Sequence, residues 1–305
     1  MPGNNNKDQG FAGGVAALTS FSVLGTYPLY FKMFSHISAF EVLAHRILWT
    51  VVLLGLFILL SRRVQHVRAV LANRKLLVTL LLSSLLVSLN WLVFIWAVTH
   101  DMVLESSLGY FINPLFSVAL GMIFLKEKLR AMQWIPLGLA ILGVLYLTFV
   151  YGRLPWIALL LASTFGIYGL LKKKSALGSL YGLTLETGIM LLPALGYLIY
   201  EISRGQGIFL KINPATDFLL IGAGVATSVP LLLFALAAQR IPLTMIGLMQ
   251  YIAPTIQFLI GILIYKEPFT SSQFVGFGII WLALIIFGVE SWVEHRAHPL
   301  PISAD

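Results

Sequence analysis

The feature that most constrains this chain is the length of its charge-free apolar blocks. Residues 11–31, 76–98, 132–151 and 218–238 contain no Asp, Glu, Lys or Arg. A helix rises 1.5 Å per residue, so about 20 such residues cross the ~30 Å hydrocarbon core of a bilayer. Only 10% of the 305 residues are charged and 59% are hydrophobic, whereas soluble domains are about 25% charged. The sequence therefore predicts an all-α, polytopic membrane protein.

The apolar pattern predicts ten transmembrane helices, at 11–31, 39–60, 76–98, 102–125, 132–151, 154–171, 180–200, 218–238, 242–265 and 271–289. Lys and Arg are enriched in the cytoplasmic loops of membrane proteins. With the N-terminus inside, 14 of the 20 basic residues fall in inside segments and 5 in outside loops. Both termini are therefore expected in the cytoplasm. The net charge of +8 is explained by topology, without nucleic-acid binding.

The two halves of the chain repeat each other at an offset of 140 residues. The paired identities include prolines, glycines and a Lys-Glu dipeptide, namely Pro114/Pro254, Gly121/Gly261, Lys126/Lys266, Glu127/Glu267 and Gly138/Gly278. Each half holds five predicted helices, and an odd number inverts the second half in the membrane. We therefore expect two inverted repeats, 1–151 and 152–305. Inverted repeats are typical of secondary transporters with a substrate site near the midplane, but they also build channels.

Five segments carry a family resemblance: LAHRILW (43–49), SLNW (88–91), LESSLGYFINPL (104–115), GLTLETGIMLLP (182–193) and LMQYIAPTIQFL (248–259). Together with the central prolines and the five-plus-five arrangement, they resemble the EamA-type drug/metabolite transporters, and within them the RarD subgroup. The resemblance implies a multi-pass protein of the bacterial inner membrane that carries small organic solutes. Members of the subgroup are labelled for chloramphenicol sensitivity, and the resemblance does not identify a substrate.

A polar stripe recurs in the fourth and ninth spans. Ser106, Tyr110 and Asn113 share one helix face because they are spaced by four and three residues, and Gln250 and Gln257 follow in the other half. Pro114 and Pro254 remove backbone donors within these spans and are the candidate gating residues. The alternative is a kink held by hydrogen bonds between helices. The candidate substrate-binding residues are Arg46, Asn90, Trp91, Ser106, Tyr110, Asn113, Gln250, Tyr251 and Gln257.

Arg46 and Glu186 are the clearest ionisable residues deep inside spans. Intramembrane charges are costly and face a partner or a cavity. Arg46 can bind a substrate carboxylate bidentately or can anchor its helix through backbone carbonyls. Glu186 is the candidate proton-coupling residue, with a neutral, hydrogen-bonded acid as the alternative. A direct Arg46–Glu186 ion pair is a further possibility that the sequence leaves open.

The leading function is a secondary transporter, exporting a small organic metabolite or drug-like solute by alternating access, with protons as the candidate coupling ion. No phosphate-binding loop of the GxxxxGK[ST] type, no cysteine and no metal-ligand spacing is present, so no cofactor, metal or enzymatic activity is predicted. A passive channel is the first alternative, followed by a lipid flippase or an intramembrane enzyme. The protein is expected to be a monomer or a homodimer.

Overall fold

A computed structural model describes residues 3–60, 74–126, 131–152, 154–175, 179–238, 240–241 and 249–297. These residues form an all-helical bundle. Its helices are α1 (Gly3–Gly25), α2 (Tyr27–Lys32), α3 (Ala39–Leu60), α4 (Arg74–Thr99), α5 (Val103–Leu125), α6 (Trp134–Tyr151), α7 (Trp156–Ser175), α8 (Ser179–Ser203), α9 (Pro214–Ala238), α10 (Ile252–Leu259) and α11 (Ser271–Ala297). A 3₁₀ turn, Ala131–Gln133, precedes α6, and a π-helical turn, Ile260–Ile264, follows α10.

Within the described part of the chain, six helices are long and apolar enough to cross a membrane, and three shorter apolar helices accompany them. The multi-spanning, all-helical fold is thus confirmed. The predicted first span is divided into α1 and α2, with Thr26 between them. Pro28 accounts for this break because it lacks the N–H that would bond the carbonyl of Leu24 in a continuous helix.

The ninth predicted span, 242–265, is only partly described, since residues 242–248 lie outside the described ranges. Its described α-helix begins at Ile252, which places Pro254 in the first helical turn. The span pattern instead predicts this proline near the middle of a helix. A first turn tolerates proline because its N–H groups have no helical acceptor there.

The surface of the bundle is apolar and its interior holds polar side chains. Phe149, Leu192 and Phe218 are 75–88% exposed, whereas Arg46, Asn90 and Glu186 are buried. A soluble protein of this size rarely exposes such extensive apolar surface. The distribution fits a protein whose outer surface is solvated by lipid.

The helices pack in a small number of extensive pairs. α5 packs along α7, α6 along α11, and α3 against both α8 and α9, while α1 contacts α9 and α10, and α4 contacts α7 and α8. α3 and α9 approach each other closely, and a Cβ on Gly224 would lie 2.5 Å from the carbonyl carbon of Trp49. A residue without a side chain is therefore needed at Gly224 for the two helices to meet.

Candidate functional site

A central cavity of about 400 Å³ lies inside the bundle and is lined by both halves of the chain. Six of the nine predicted substrate-binding residues line it: Arg46, Asn90, Trp91, Tyr110, Gln250 and Gln257. Pro254 lines it as well. Most of the remaining wall is aromatic or aliphatic, and its members include Phe21, Leu24, Tyr27, Val87, Phe94, Phe165, Leu183, Leu231 and Phe234. This volume falls within the ~300–1,000 Å³ typical of small-molecule sites.

Arg46 is the buried cation of this cavity and is 3% exposed. Its Nε donates a hydrogen bond of 2.8 Å to Oγ1 of Thr227 on α9. Its Cζ lies 4.2 Å from the ring centroid of Trp91, and it also faces the rings of Phe31 and Tyr27. Aromatic faces stabilise a guanidinium through their quadrupoles. They do not neutralise its charge.

Glu186 is fully buried beside the cavity, in contact with α4 and α7. Its Oε1 accepts a hydrogen bond of 2.7 Å from Ser83 Oγ and lies 2.9 Å from Nζ of Lys172. Its Oε2 accepts a hydrogen bond of 3.1 Å from Tyr168 OH. Lys172 and Tyr168 both line the cavity, so Glu186 reaches the cavity through them. Glu186 therefore pairs with Lys172, and the ion pair with Arg46 that the sequence left open is not formed.

Asn90 connects three helices at the cavity wall. Its Nδ2 donates to the Leu161 carbonyl at 3.0 Å and to Thr164 Oγ1 at 2.9 Å, both on α7. Its Oδ1 accepts a hydrogen bond of 3.2 Å from Tyr110 OH on α5. The amide of Asn90 is thus already engaged by the protein, which makes it a positioning group as well as a wall residue.

Two cavity residues satisfy backbone carbonyls that prolines leave without a helical donor. Pro230 cannot donate to the carbonyl of Ala226 in α9, and Tyr27 OH donates to that oxygen at 2.5 Å. Pro28 cannot donate to the carbonyl of Leu24, and Nε2 of Gln257 donates to it at 3.2 Å. Unpaired backbone groups are costly at membrane depth. Each of these hydrogen bonds also joins the N-terminal half to the C-terminal half.

The remaining predicted site residues lie outside the central cavity. The hydroxyl of Ser106 donates to the carbonyl of Val103 within α5, and Asn113 is buried. Pro114 lies inside α5. Tyr251 lines a separate apolar groove of about 700 Å³ between α5, α10 and α11. Ser106, Asn113 and Pro114 thus share α5 with the cavity residue Tyr110 but do not line the cavity.

Sequence reasoning missed three polar residues of this site: Thr227, Tyr168 and Lys172. Lys172 begins a run of three lysines that reads as a cytoplasmic loop. Its spacing of four residues from Tyr168 places both on one face of α7, and a buried Glu186 required a cationic or hydroxyl partner. That spacing was the sequence signal that could have identified Tyr168 and Lys172 as partners of Glu186. Thr227 lies in an apolar helix and gave no comparable one.

Comparison with known proteins places this architecture in a family. The model of the EamA-like transporter family matches residues 11–149. An uncharacterized transporter of Bacillus subtilis, YojE, is 46% identical over 285 residues, covering 90% of this chain and 93% of YojE. The protein RarD of Streptomyces exfoliatus is 42% identical over 287 residues, covering 94% of this chain and 90% of RarD.

The chain belongs to the EamA-like transporter family. This EamA protein is a multi-pass membrane transporter with bacterial relatives, and it is not an enzyme. A solved crystal structure shares its fold, with a TM-score of 0.58 and 14% identity, covering 92% of this chain and 98% of that one. Membership in a transporter family implies a small-molecule substrate.

Proposed function

We propose that this EamA protein is a secondary active transporter of the bacterial inner membrane, exporting a small organic solute from the central cavity by alternating access. The observation that carries the proposal is the cavity itself. Both halves of the chain line it, and it holds a buried arginine. Substrate sites at the interface of two repeats are typical of secondary transporters.

Two features of the structure support the proposed inverted repeats, 1–151 and 152–305. If the halves are repeats, α1, α4 and α5 correspond to α7, α9 and α10. The contact between α1 and α9 then corresponds to the contact between α7 and α4, and the contact between α5 and α7 corresponds to the contact between α10 and α1. In addition, Lys126 and Lys266 occupy equivalent positions and both have left-handed φ angles, of 55° and 52°. Arg46 and Glu186 are also equivalent at the offset of 140. The proposed rocking of one half against the other uses this symmetry, with Pro114 and Pro254 as gating positions.

The proposed coupling device is the pair formed by Glu186 and Lys172. A proton on Glu186 removes the charge that holds the lysine ammonium, and Lys172 lines the cavity. Protonation from one side of the membrane then changes the charge that a solute meets. Tyr168 and Ser83 lie within hydrogen-bonding distance of the same carboxyl group. This arrangement links proton binding to solute binding without a nucleotide.

Counterflow in proteoliposomes tests the transport mechanism. Amino acids, amines, carboxylates and antibiotics are first screened for thermal stabilisation of the purified protein, and a stabilising compound is then loaded into liposomes. A carrier exchanges unlabelled internal compound for labelled external compound and accumulates label transiently. A channel, the first alternative, equilibrates the label without overshoot. Absence of counterflow for every stabilising compound would overturn the proposal.

Glu186→Gln tests the coupling step in the same liposomes. We expect this variant to lose accumulation driven by an imposed pH gradient and to retain counterflow, because an amide cannot release a proton. The matched control is Glu201→Gln on the same helix, away from the cavity, which should retain both activities. Undiminished pH-driven accumulation in Glu186→Gln would exclude Glu186 as the coupling residue and would leave it a structural hydrogen-bonding group.

A further inference from the structure

The charge of the central cavity is unbalanced. Among the described residues that line it, the basic ones are Arg46 and Lys172, and none is an aspartate or glutamate. Glu186 lies 2.9 Å from Lys172 and compensates its charge. No carboxylate of the described chain lies within 4.0 Å of Arg46. The cavity therefore carries one positive charge that the described residues do not compensate.

The guanidinium of Arg46 has unused capacity for a ligand. Nε donates to Thr227, and this is the one hydrogen bond that the Arg46 side chain makes with the described residues. Its Nη1 and Nη2 donors remain for a ligand. A guanidinium presents such donors as a planar fork that matches the two oxygens of a carboxylate. A buried charge without a counter-ion is costly, so an anion gains more here than a neutral or cationic solute.

The walls around Arg46 define the rest of the ligand. Trp91 and Phe94 lie on α4, Phe165 lies on α7, and Phe21 and Phe234 contribute from α1 and α9. The polar groups of Asn90 and Tyr27 are already paired with the protein. The cavity thus offers one cation for an anionic group, the amides of Gln250 and Gln257, and an aromatic and aliphatic enclosure of about 400 Å³, which suits an apolar or aromatic body.

We infer that the central cavity selects organic monoanions, with a carboxylate bound to Arg46 and an apolar or aromatic body held against Trp91, and that it discriminates against amines. The inference rests on the proposed function only in taking this cavity as the transport site. An ammonium group would meet Arg46 and Lys172 and would find no carboxylate in the described lining. A monoanion instead brings the local charge to neutrality.

Binding of three matched probes to the purified, full-length protein tests this inference. Phenylacetate is the anion, phenylacetamide its neutral counterpart and phenethylammonium the cation. The readout is the fluorescence of the native tryptophans, since Trp91 lies against the guanidinium. In the wild type we expect phenylacetate to bind at least about tenfold more tightly than the amide, a difference of about 1.4 kcal/mol. We expect the cation to bind most weakly.

A variant series separates the role of Arg46 from general effects on folding. Arg46→Gln should weaken phenylacetate binding at least about tenfold and leave phenylacetamide binding nearly unchanged. The control is Lys32→Gln, which removes a cation that pairs with Asp101 outside the cavity, and it should retain the anion preference. If Arg46→Gln does not fold, the comparison of the three probes in the wild type still decides the question.

Several outcomes would overturn the inference. They are equal binding of acid and amide, tighter binding of the cation, no binding of any probe, and unchanged phenylacetate binding in Arg46→Gln. Counterflow separates this result from the proposed function. Counterflow of phenethylammonium would support the proposed carrier mechanism and exclude the inferred preference for anions. Anion binding through Arg46 without counterflow of any compound would support the inferred preference for anions and exclude the proposed carrier mechanism.

Discussion

Glu267 shows how a single side chain outside the membrane spans can hold two halves of the bundle together. Its two carboxylate oxygens accept hydrogen bonds from the backbone N–H groups of Val103 and Leu104, at 2.7 and 2.9 Å. These donors belong to the first turn of α5, where no helical acceptor is available. Glu267 therefore caps a helix of the N-terminal half from a loop of the C-terminal half.

Burial raises the pKa of Glu267 above its ordinary value, even though the two N–H donors of α5 act in the opposite direction. The folded protein thus binds a proton at this position more tightly than the unfolded chain does. The stability that this group contributes is fully present below the unfolded-state pKa of about 4.3. It is lost as the pH rises through the folded-state pKa.

The difference in unfolding midpoint between Glu267→Gln and the wild type (variant minus wild type) is expected to be more positive at neutral pH than at about pH 4, because the amide keeps one of the two acceptor oxygens and carries no buried charge. The measurement is the thermal unfolding midpoint of variant and wild type across this pH range. Gln273→Ala is the control, since Gln273 Oε1 accepts a hydrogen bond from Thr270 N near Glu267 and does not titrate. A midpoint difference that is constant with pH, or larger at acid pH, would contradict the expectation.

At the scale of helices, the contact between α3 and α9 positions the cation of the cavity. Arg46 lies on α3 and its acceptor Thr227 on α9, and Gly224, one turn before Thr227, packs on the backbone of Trp49. The backbone of Trp49 cannot move aside as a flexible side chain does. The separation of α3 and α9 is therefore fixed where Arg46 is held.

Gly224→Ala is expected to destabilise the protein by about 1–3 kcal/mol, as overpacking does in a tight core. The added Cβ would lie 2.5 Å from Trp49 C and 2.8 Å from its carbonyl oxygen. Gly188→Ala on α8 is the matched control, because a Cβ added there would meet no other atom within 4 Å. Unfolding in mixed micelles measures both. Equal unfolding midpoints for the two variants would show that α3 and α9 adjust without cost.

At the scale of the whole molecule, the proposed topology can be tested because the chain contains no cysteine. A single introduced cysteine is then the one thiol available to a membrane-impermeant maleimide. Gln206→Cys, in the exposed connection after α8, should be labelled in intact cells. Lys174→Cys should be labelled only after permeabilisation. The reverse pattern would overturn the cytoplasmic placement of both termini.

The sequence predicted the helical bundle better than it predicted which polar side chains pair inside the bundle. Charge-free blocks and their length follow directly from the bilayer, so the spans were readable, and Arg46 was identifiable because charge is rare at such depth. The ion-pair partner of Glu186 could not be predicted from the sequence. Lys172 lies in a run of lysines that serves topology equally well, and choosing between Lys172 and Arg46 requires the packing of both α7 and α8 against α4. Pro28 was a visible signal for the break at Thr26, but the side chain that donates to the freed carbonyl of Leu24, Gln257, belongs to the other half and could not be predicted.

The proline-freed carbonyls of Leu24 and Ala226 give this molecule a built-in spectroscopic reporter. Each lacks a helical donor and is bonded instead by a side chain from the opposite half, Gln257 and Tyr27 respectively. The stretching frequency of a carbonyl depends on the donor it receives. Carbon-13 placed at either carbonyl would therefore shift in the infrared spectrum whenever the halves separate, and would time that opening without an added chromophore.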